Sequence, residues 1–225
     1  MTAAPLHFYG ERLMLDPDGA VYWPARRVLI VADLHLEKAS AAAMRGNLLP
    51  PFDTKATLDK LHRLLRLYQP AAVIALGDSF HDVRGVERMH AADRARLLQM
   101  TKDAHFIWIT GNHDAAASGL PGESVAQWQD GVFILRHQAE ARPGMRSVEI
   151  SGHYHPKASV NTVALRISRP CFVTDSARLI LPAFGAYTGG LDVRDPAITR
   201  LFPRGLRVFL LGQAKLFSFA LGQLG

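Results

Sequence analysis

Five short segments of this 225-residue chain concentrate the side chains that hold metals or move protons. They are Asp33-Leu34-His35, Gly77-Asp78-Ser79-Phe80-His81-Asp82, Gly111-Asn112-His113-Asp114, Arg136-His137 and Gly152-His153-Tyr154-His155. Asp33 and His35 stand two residues apart, as do His153 and His155, and on extended chain such pairs point to the same side. A glycine opens three of the segments, where a tight turn or a close backbone approach is wanted. Imidazole and carboxylate together suit Mn, Fe, Zn or Co, whereas an all-oxygen set would suit Mg or Ca. Each segment alone is a weak signal, Gly-Asn-His-Asp and Gly-His-Tyr-His being the rarer ones. Together they point to one shared site, while His7, His62, His90 and His105 fall outside it and are read as ordinary core or surface residues.

Shared use requires that the segments be brought together, and the runs preceding them supply the means. Arg27–Ala32, Ala71–Leu76, His105–Thr110, Val132–Leu135 and Ser147–Ser151 are mostly apolar runs of strand length, as expected of strands covered on both faces. Each delivers its polar segment at its carboxyl end, where open α/β sheets bind ligands. Asp53–Leu67 reads as an amphipathic helix with Asp53 or Thr54 as N-cap and Leu58, Leu61, Leu64, Leu65 and Tyr68 on one stripe. Val86–Lys102 reads as a second helix. Leu6–Tyr9, Arg12–Leu15 and Ala20–Trp23 are short strands separated by turn signals. Ala164–Ser168, Cys171–Thr174, Arg178–Leu181 and a closing hairpin of Arg207–Leu211 and Lys215–Ala220 make the second half strand-rich. A β-α-β-α-β half followed by such a half predicts two sheets face to face with flanking helices. With no repeat, low-complexity tract or long linker, the expectation is a single domain, 1–225.

Composition bounds the setting. Hydrophobic residues make up 48% of the chain, which excludes a mainly disordered protein. A single cysteine, Cys171, excludes an intramolecular disulfide framework and a Cys-built zinc or iron–sulfur site. The apolar runs are too short to span a bilayer, and Met1-Thr2-Ala3-Ala4-Pro5 does not open a signal peptide, so a soluble cytoplasmic protein with no membrane partner is expected. The net charge is +6, with 20 Arg against 6 Lys. That balance suits a phosphate-bearing or nucleic-acid partner, and an Arg-rich, Ala-rich composition typical of a GC-rich genome accounts for it equally well.

The order Asp-x-His, Gly-Asp, Gly-Asn-His-Asp, His, Gly-His-x-His resembles the calcineurin-like metallophosphoesterase superfamily. The resemblance implies a four-layer α/β/β/α sandwich of two mixed sheets flanked by helices, with a two-metal site at the strand ends. It implies that Asp33, His35 and His155 hold one metal, that Asn112, His137 and His153 hold the other, and that Asp78 bridges both. His113 matches the histidine that contacts phosphate and assists the leaving group, and Asp114 is placed to orient it. Such sites clamp phosphate oxygens and activate water for in-line hydrolysis, and a protonated His113 would donate to the departing alkoxide.

Three longer stretches look like one bacterial family, the ligase-associated DNA damage response endonucleases (PdeM). They are Ala32–Lys38 leading into Arg45–Pro50, Gly77–Asp82, and Leu181-Pro-Ala-Phe-Gly-Ala-Tyr-Thr-Gly-Gly190. That similarity implies an Mn-dependent phosphodiesterase with DNA endonuclease activity in DNA repair. Its cofactors would be two divalent ions, Mn foremost with Fe, Zn or Co as alternatives. Its substrate would be single-stranded or flexible DNA, and its associates a DNA ligase, a helicase and an exonuclease. Two other readings stand beside it: a phosphodiesterase or phosphatase for a small molecule such as a cyclic nucleotide, and a non-catalytic binding scaffold, against which the full ligand set and His113 argue. His81 either reaches the site as an outer partner or caps its loop. Arg45 and Tyr187 either touch substrate or are ordinary loop residues, and Lys38 and Arg84 either meet a phosphate backbone or are solvated charges. The sequence does not set the oligomeric state.

Overall fold

The computed structural model describes residues 2–112, 119–141, 147–161, 163 and 165–225. Strands β1 (Ala4–Phe8), β2 (Glu11–Leu15), β3 (Val21–Trp23), β4 (Val28–Val31), β5 (Ala72–Leu76), β6 (His105–Ile109) and β7 (Glu123–Val125) form a seven-stranded sheet in that order. It is antiparallel as far as β4 and parallel from β4 to β7. A second sheet is built from β8 (Gln127–Asp130), β9 (Phe133–Arg136), β10 (Val148–Ser151), β12 (Arg166–Thr174), β13 (Arg178–Ile180), β14 (Arg207–Leu211) and β15 (Leu216–Ala220), with β11 (Lys157–Asn161) paired to β12. Its order is β15-β14-β12-β13-β10-β9-β8. Both sheets are mixed, as expected.

Alternation along the strands distributes the core. Leu29, Val31, Val73, Ala75, Phe106 and Trp108 face helices α2 (Asp53–Tyr68) and α4 (Ala91–Asp103). Their neighbours Ile30, Ile74, Leu76, Ile107 and Ile109 face the second sheet, meeting Phe133, Leu135, Val148, Ile150 and Phe172. Strands covered on both sides need apolar residues at every position, which is why these runs are continuous. On the far face of the second sheet, Cys171, Val173, Val208 and Leu210 pack with Ile198 of the four-residue helix α5 (Pro196–Thr199). That outer layer is thin. Among the described residues no helix is long and apolar enough to cross a membrane.

Several expectations are corrected. The helix read as Val86–Lys102 is two, α3 (Gly85–Arg88) and α4, parted where Met89 turns into the core and the His90 imidazole accepts the Ala92 N–H. Neither Asp53 nor Thr54 caps α2, whose N-cap is Phe52. Their oxygens instead accept the Ala39 and Glu37 N–H groups, docking the short helix α1 (Lys38–Ala43). The strands expected at Ala164–Ser168 and Cys171–Thr174 join as β12, which passes from β11 to β14 at Pro170; Ala164 lies outside the described residues.

Candidate metal centre

Every described segment singled out in the sequence arrives at the same end of the two sheets. Asp33 and His35 follow β4, Asp78 follows β5, Asn112 follows β6, His137 follows β9, and His153 and His155 follow β10. Backbone bonds extend beyond the strands and lock the segments together. The His35 and Leu36 N–H groups donate to the Asp78 and Ser79 carbonyls at 2.9 and 3.0 Å, and the Gly152 N–H donates to the His137 carbonyl at 2.9 Å. The local backbone is strained: Asp33, His35, Asp78, His153 and His155 all have positive φ, between 42° and 73°. Non-glycine residues held this way cost roughly 1–3 kcal/mol each and persist where surrounding structure over-determines them. Gly152 is one such determinant. A Cβ there would lie 2.6 Å from Asp33 Oδ2, blocking the approach by which the His153 N–H donates to that oxygen at 2.9 Å.

The side chains form two overlapping groups, Asp33 with His35 and His155, and Asp33 with Asp78 and His137, each with its donor atoms within 4.8 Å of one another. His35 Nε2 and His155 Nε2 face each other at 3.2 Å, and Asp33 Oδ1 is 3.4 Å from His155 Nε2. Asp78 Oδ2 lies between the groups, 4.0 Å from His35 Nε2 and 3.6 Å from His137 Nε2. His153 Nδ1 adjoins the second group at 3.1 Å from His137 Nε2, and Asn112 Nδ2 adjoins His153 Nδ1 at 3.2 Å. Asp33, His35, Asp78 and His137 are buried, while His153 and His155 reach a cleft of about 400 Å³ that runs past Tyr154 to Gly189 and Gly190.

Protonation favours metal binding. His137 Nδ1 lies 2.9 Å from the Leu76 carbonyl, which can only accept, so the proton sits on Nδ1 and the Nε2 lone pair points at the cluster. Burial pushes the His35 pKa down to about 4, against the opposing pull of the Asp33 carboxylate, so its imidazole is neutral at pH 7. Burial, reinforced by His137, also lowers the pKa of His153. Asp33 Oδ1 is buried and takes no hydrogen bond among the described residues. Two facing imidazole nitrogens beside such an oxygen make a donor set that a divalent cation satisfies.

The remaining candidates are less uniform. His113 and Asp114 lie outside the described residues. His81 packs edge-on against His35, with ring centroids 5.7 Å apart, and donates its backbone N–H to the Leu36 carbonyl at 2.9 Å. Arg45 is exposed in the turn after α1. Tyr187 is 47% exposed, with φ 58°, on the 181–190 segment. Among the described residues neither side chain bonds to a cluster residue.

That segment does more than the sequence suggested. It is a strap beside the site: the Phe184 and Gly185 N–H groups donate to the Ala32 and Asp33 carbonyls at 2.8 and 3.1 Å, and just beyond it the Leu191 carbonyl accepts the Lys157 N–H at 2.8 Å. Three lysines grip its carbonyls from outside, Lys60 at Phe184, Lys38 at Tyr187 and Lys157 at Thr188. Proline and glycine mark the strap in the sequence. No local signal marks its lysines.

The profile of the calcineurin-like phosphoesterase family matches residues 26–168. Among solved structures, a Pseudomonas putida nuclease MPE is 32% identical, with a TM-score of 0.73 over 96% of this chain and 100% of the other. YfcE, a phosphoesterase from E. coli, is 12% identical with a TM-score of 0.43 over 86% of this chain and 98% of the other. A Vps29 double mutant from Entamoeba histolytica is 16% identical with a TM-score of 0.37 over 86% and 97%. No curated protein is matched. The profile match alone spans more than half of the sequence, including all seven expected ligands, and the chain belongs to the calcineurin-like phosphoesterase family.

Proposed function

We propose that this chain is a divalent-metal-dependent phosphodiesterase that cuts nucleic acid, with 1–225 acting as one catalytic domain. The observation that carries this reading is the convergence of Asp33, His35, Asp78, His137 and His155 around a buried carboxylate oxygen that takes no hydrogen bond among the described residues. Similarity to a nuclease along nearly the whole chain supports the substrate class. Asp33, His35 and His155 would hold one cation, Asn112, His137 and His153 a second, and Asp78 would lie between them. Divalent cations bound there would supply positive charge to the phosphate oxygens and lower the pKa of attacking water.

The chain's own groups set up the rest. The Leu76 carbonyl holds the His137 ring, and the His153 N–H holds the Asp33 carboxylate. His113 would donate a proton to the leaving oxygen, with Asp114 orienting its ring. In its finer form the reading is an Mn-dependent DNA endonuclease of DNA repair, cytoplasmic and associated with a ligase, a helicase and an exonuclease.

One matrix of rates tests it. Chelated protein is resupplied with Mn, Zn, Fe, Co or Mg and given bis(4-nitrophenyl) phosphate, a cyclic nucleotide, a single-stranded oligonucleotide or a closed plasmid circle. Mn is expected to give the highest rates, and the circle is expected to be opened. Turnover that survives exhaustive chelation, or that is confined to the cyclic nucleotide, overturns the reading.

A further inference from the structure

Lys38 and Lys157 occupy unusual surroundings for two of only six lysines in the chain. Lys38 stands three residues beyond His35 and Lys157 two beyond His155, so each extends from a ligand segment. Their ammonium groups donate to consecutive carbonyls of the strap, Tyr187 at 2.9 Å and Thr188 at 3.3 Å. A carbonyl carries no charge, and neither lysine forms an ion pair among the described residues. The other strap-gripping lysine differs: Lys60 lies against the Phe184 ring at 3.8 Å, near Asp18 and Asp16. Lys38 is half-buried, and its pKa is lowered by that burial, with Asp53 opposing the shift and the charge of Lys157 adding to it. Lys38 therefore lies in the field of Lys157, and among the described residues the two share no counter-ion. The strap they hold continues into Gly189 and Gly190, which line the cleft leading from His153 and His155.

An ammonium group has three donors, and one carbonyl uses one of them. Held on a strap that continues into the cleft wall at Gly189 and Gly190, the two ammonium groups keep donors to spare for an anion beyond the reacting centre. We propose that Lys38 and Lys157 form a subsite for the phosphate of a nucleotide adjoining the scissile one, so that the enzyme grips a polynucleotide rather than a single ester. The subsite rests on the nuclease reading above and specifies how that substrate is held. Tyr187, exposed on the same turn, lies beside this phosphate track.

The test replaces both lysines with glutamine, which keeps an N–H for the carbonyl and removes the charge, and in a second protein with arginine. Binding of a fluorescent single-stranded oligonucleotide to the metal-free proteins is followed by anisotropy across a salt series. In parallel, the metal-loaded proteins are assayed on the oligonucleotide and on bis(4-nitrophenyl) phosphate. Each phosphate contact on a single strand contributes about 0.7 to the slope of log affinity against log salt. Lys38→Gln/Lys157→Gln should flatten the slope by about 1.4 and weaken oligonucleotide binding roughly tenfold at low salt. Hydrolysis of the small diester should stay within about twofold of the parent, and Lys38→Arg/Lys157→Arg should restore the slope. An unchanged slope overturns the subsite. Equal losses on both substrates with the slope retained also overturn it, because the lysines then only position the strap. Should the unaltered protein neither bind nor cut the oligonucleotide while hydrolysing the small diester, the nuclease reading itself has failed. The single variants Lys38→Gln and Lys157→Gln, each worth about half the slope change, keep the test decisive if the double variant does not fold.

Discussion

Asp78 and His113 are predicted to fail in different ways, although both come from the short polar motifs assigned to one proposed site. Asp78 Oδ2 lies between His35 and His137, so under the proposed ligand set its carboxylate would serve both halves of the cluster. Asp78→Ala should therefore lower bound metal at both sites together, and metal analysis of the purified variant should find less than half of the parent's content. A full metal complement with near-parental turnover would remove Asp78 from the centre. Under the proposed function His113 would serve the leaving group instead. His113→Ala should keep its metals while losing about 10²–10⁴-fold on an oligonucleotide, the scale of a missing general acid. The loss should be much smaller on a nitrophenyl diester, whose leaving group departs without a proton. Equal losses would reduce His113 to phosphate positioning, and a lost metal would make it a ligand. The residue types at the site were legible because each motif carries its own chemistry within a few positions. The positive φ values of five of these residues were not, and neither was the His137 tautomer, which depends on a carbonyl 61 residues away.

Among the elements, legibility followed burial. β4, β5 and β6 stand out in the sequence because both of their faces are covered. β7 and β8 do not, because they are the edge strands of their sheets and carry polar residues, Glu123-Ser124-Val125 and Gln127-Trp128-Gln129-Asp130. Only Ala126 separates them, so the crossing between sheets left no loop signature either. β11 was missed for a similar reason, since Lys157-Ala-Ser-Val-Asn161 lacks an apolar run. The strap was visible as a glycine-rich stretch, but its task depends on where its glycines sit. A Cβ at Gly185 would lie 2.1 Å from the Leu34 carbonyl oxygen, whereas one at Gly189 would meet nothing within 4 Å. Gly185→Ala must push the strap away from the segment carrying Asp33 and His35. It should cost about 1–3 kcal/mol in denaturant unfolding, the scale of overpacking, and should weaken metal affinity as well. Gly189→Ala should match the parent in both measurements. Similar behaviour of the two variants would mean that the strap does not brace the ligands.

For the whole molecule, burying this cluster at the end of the two sheets ties stability to pH and to metal. The unfolded chain takes up a proton at His35 near its ordinary value of 6.5, whereas the folded chain resists protonation until about 4. Above pH 6.5 neither state is protonated there and stability is unaffected. As pH falls from 6.5 toward 4 the unfolded state gains a proton that the folded state refuses, so stability declines, by roughly 3 kcal/mol for a shift of this size. Below about 4 both states are protonated and the loss levels off. The metal-free protein should therefore unfold at progressively lower denaturant concentration across that window, and His35→Gln should flatten the dependence. A divalent cation binds only the neutral imidazole, so proton and metal compete for the same lone pair. Because a ligand that binds only the folded state stabilises it by mass action, added Mn should raise the melting temperature most above pH 6.5 and progressively less toward pH 4. A melting shift independent of pH, or one that survives in Asp33→Asn, would place the stabilising cation somewhere other than this cluster.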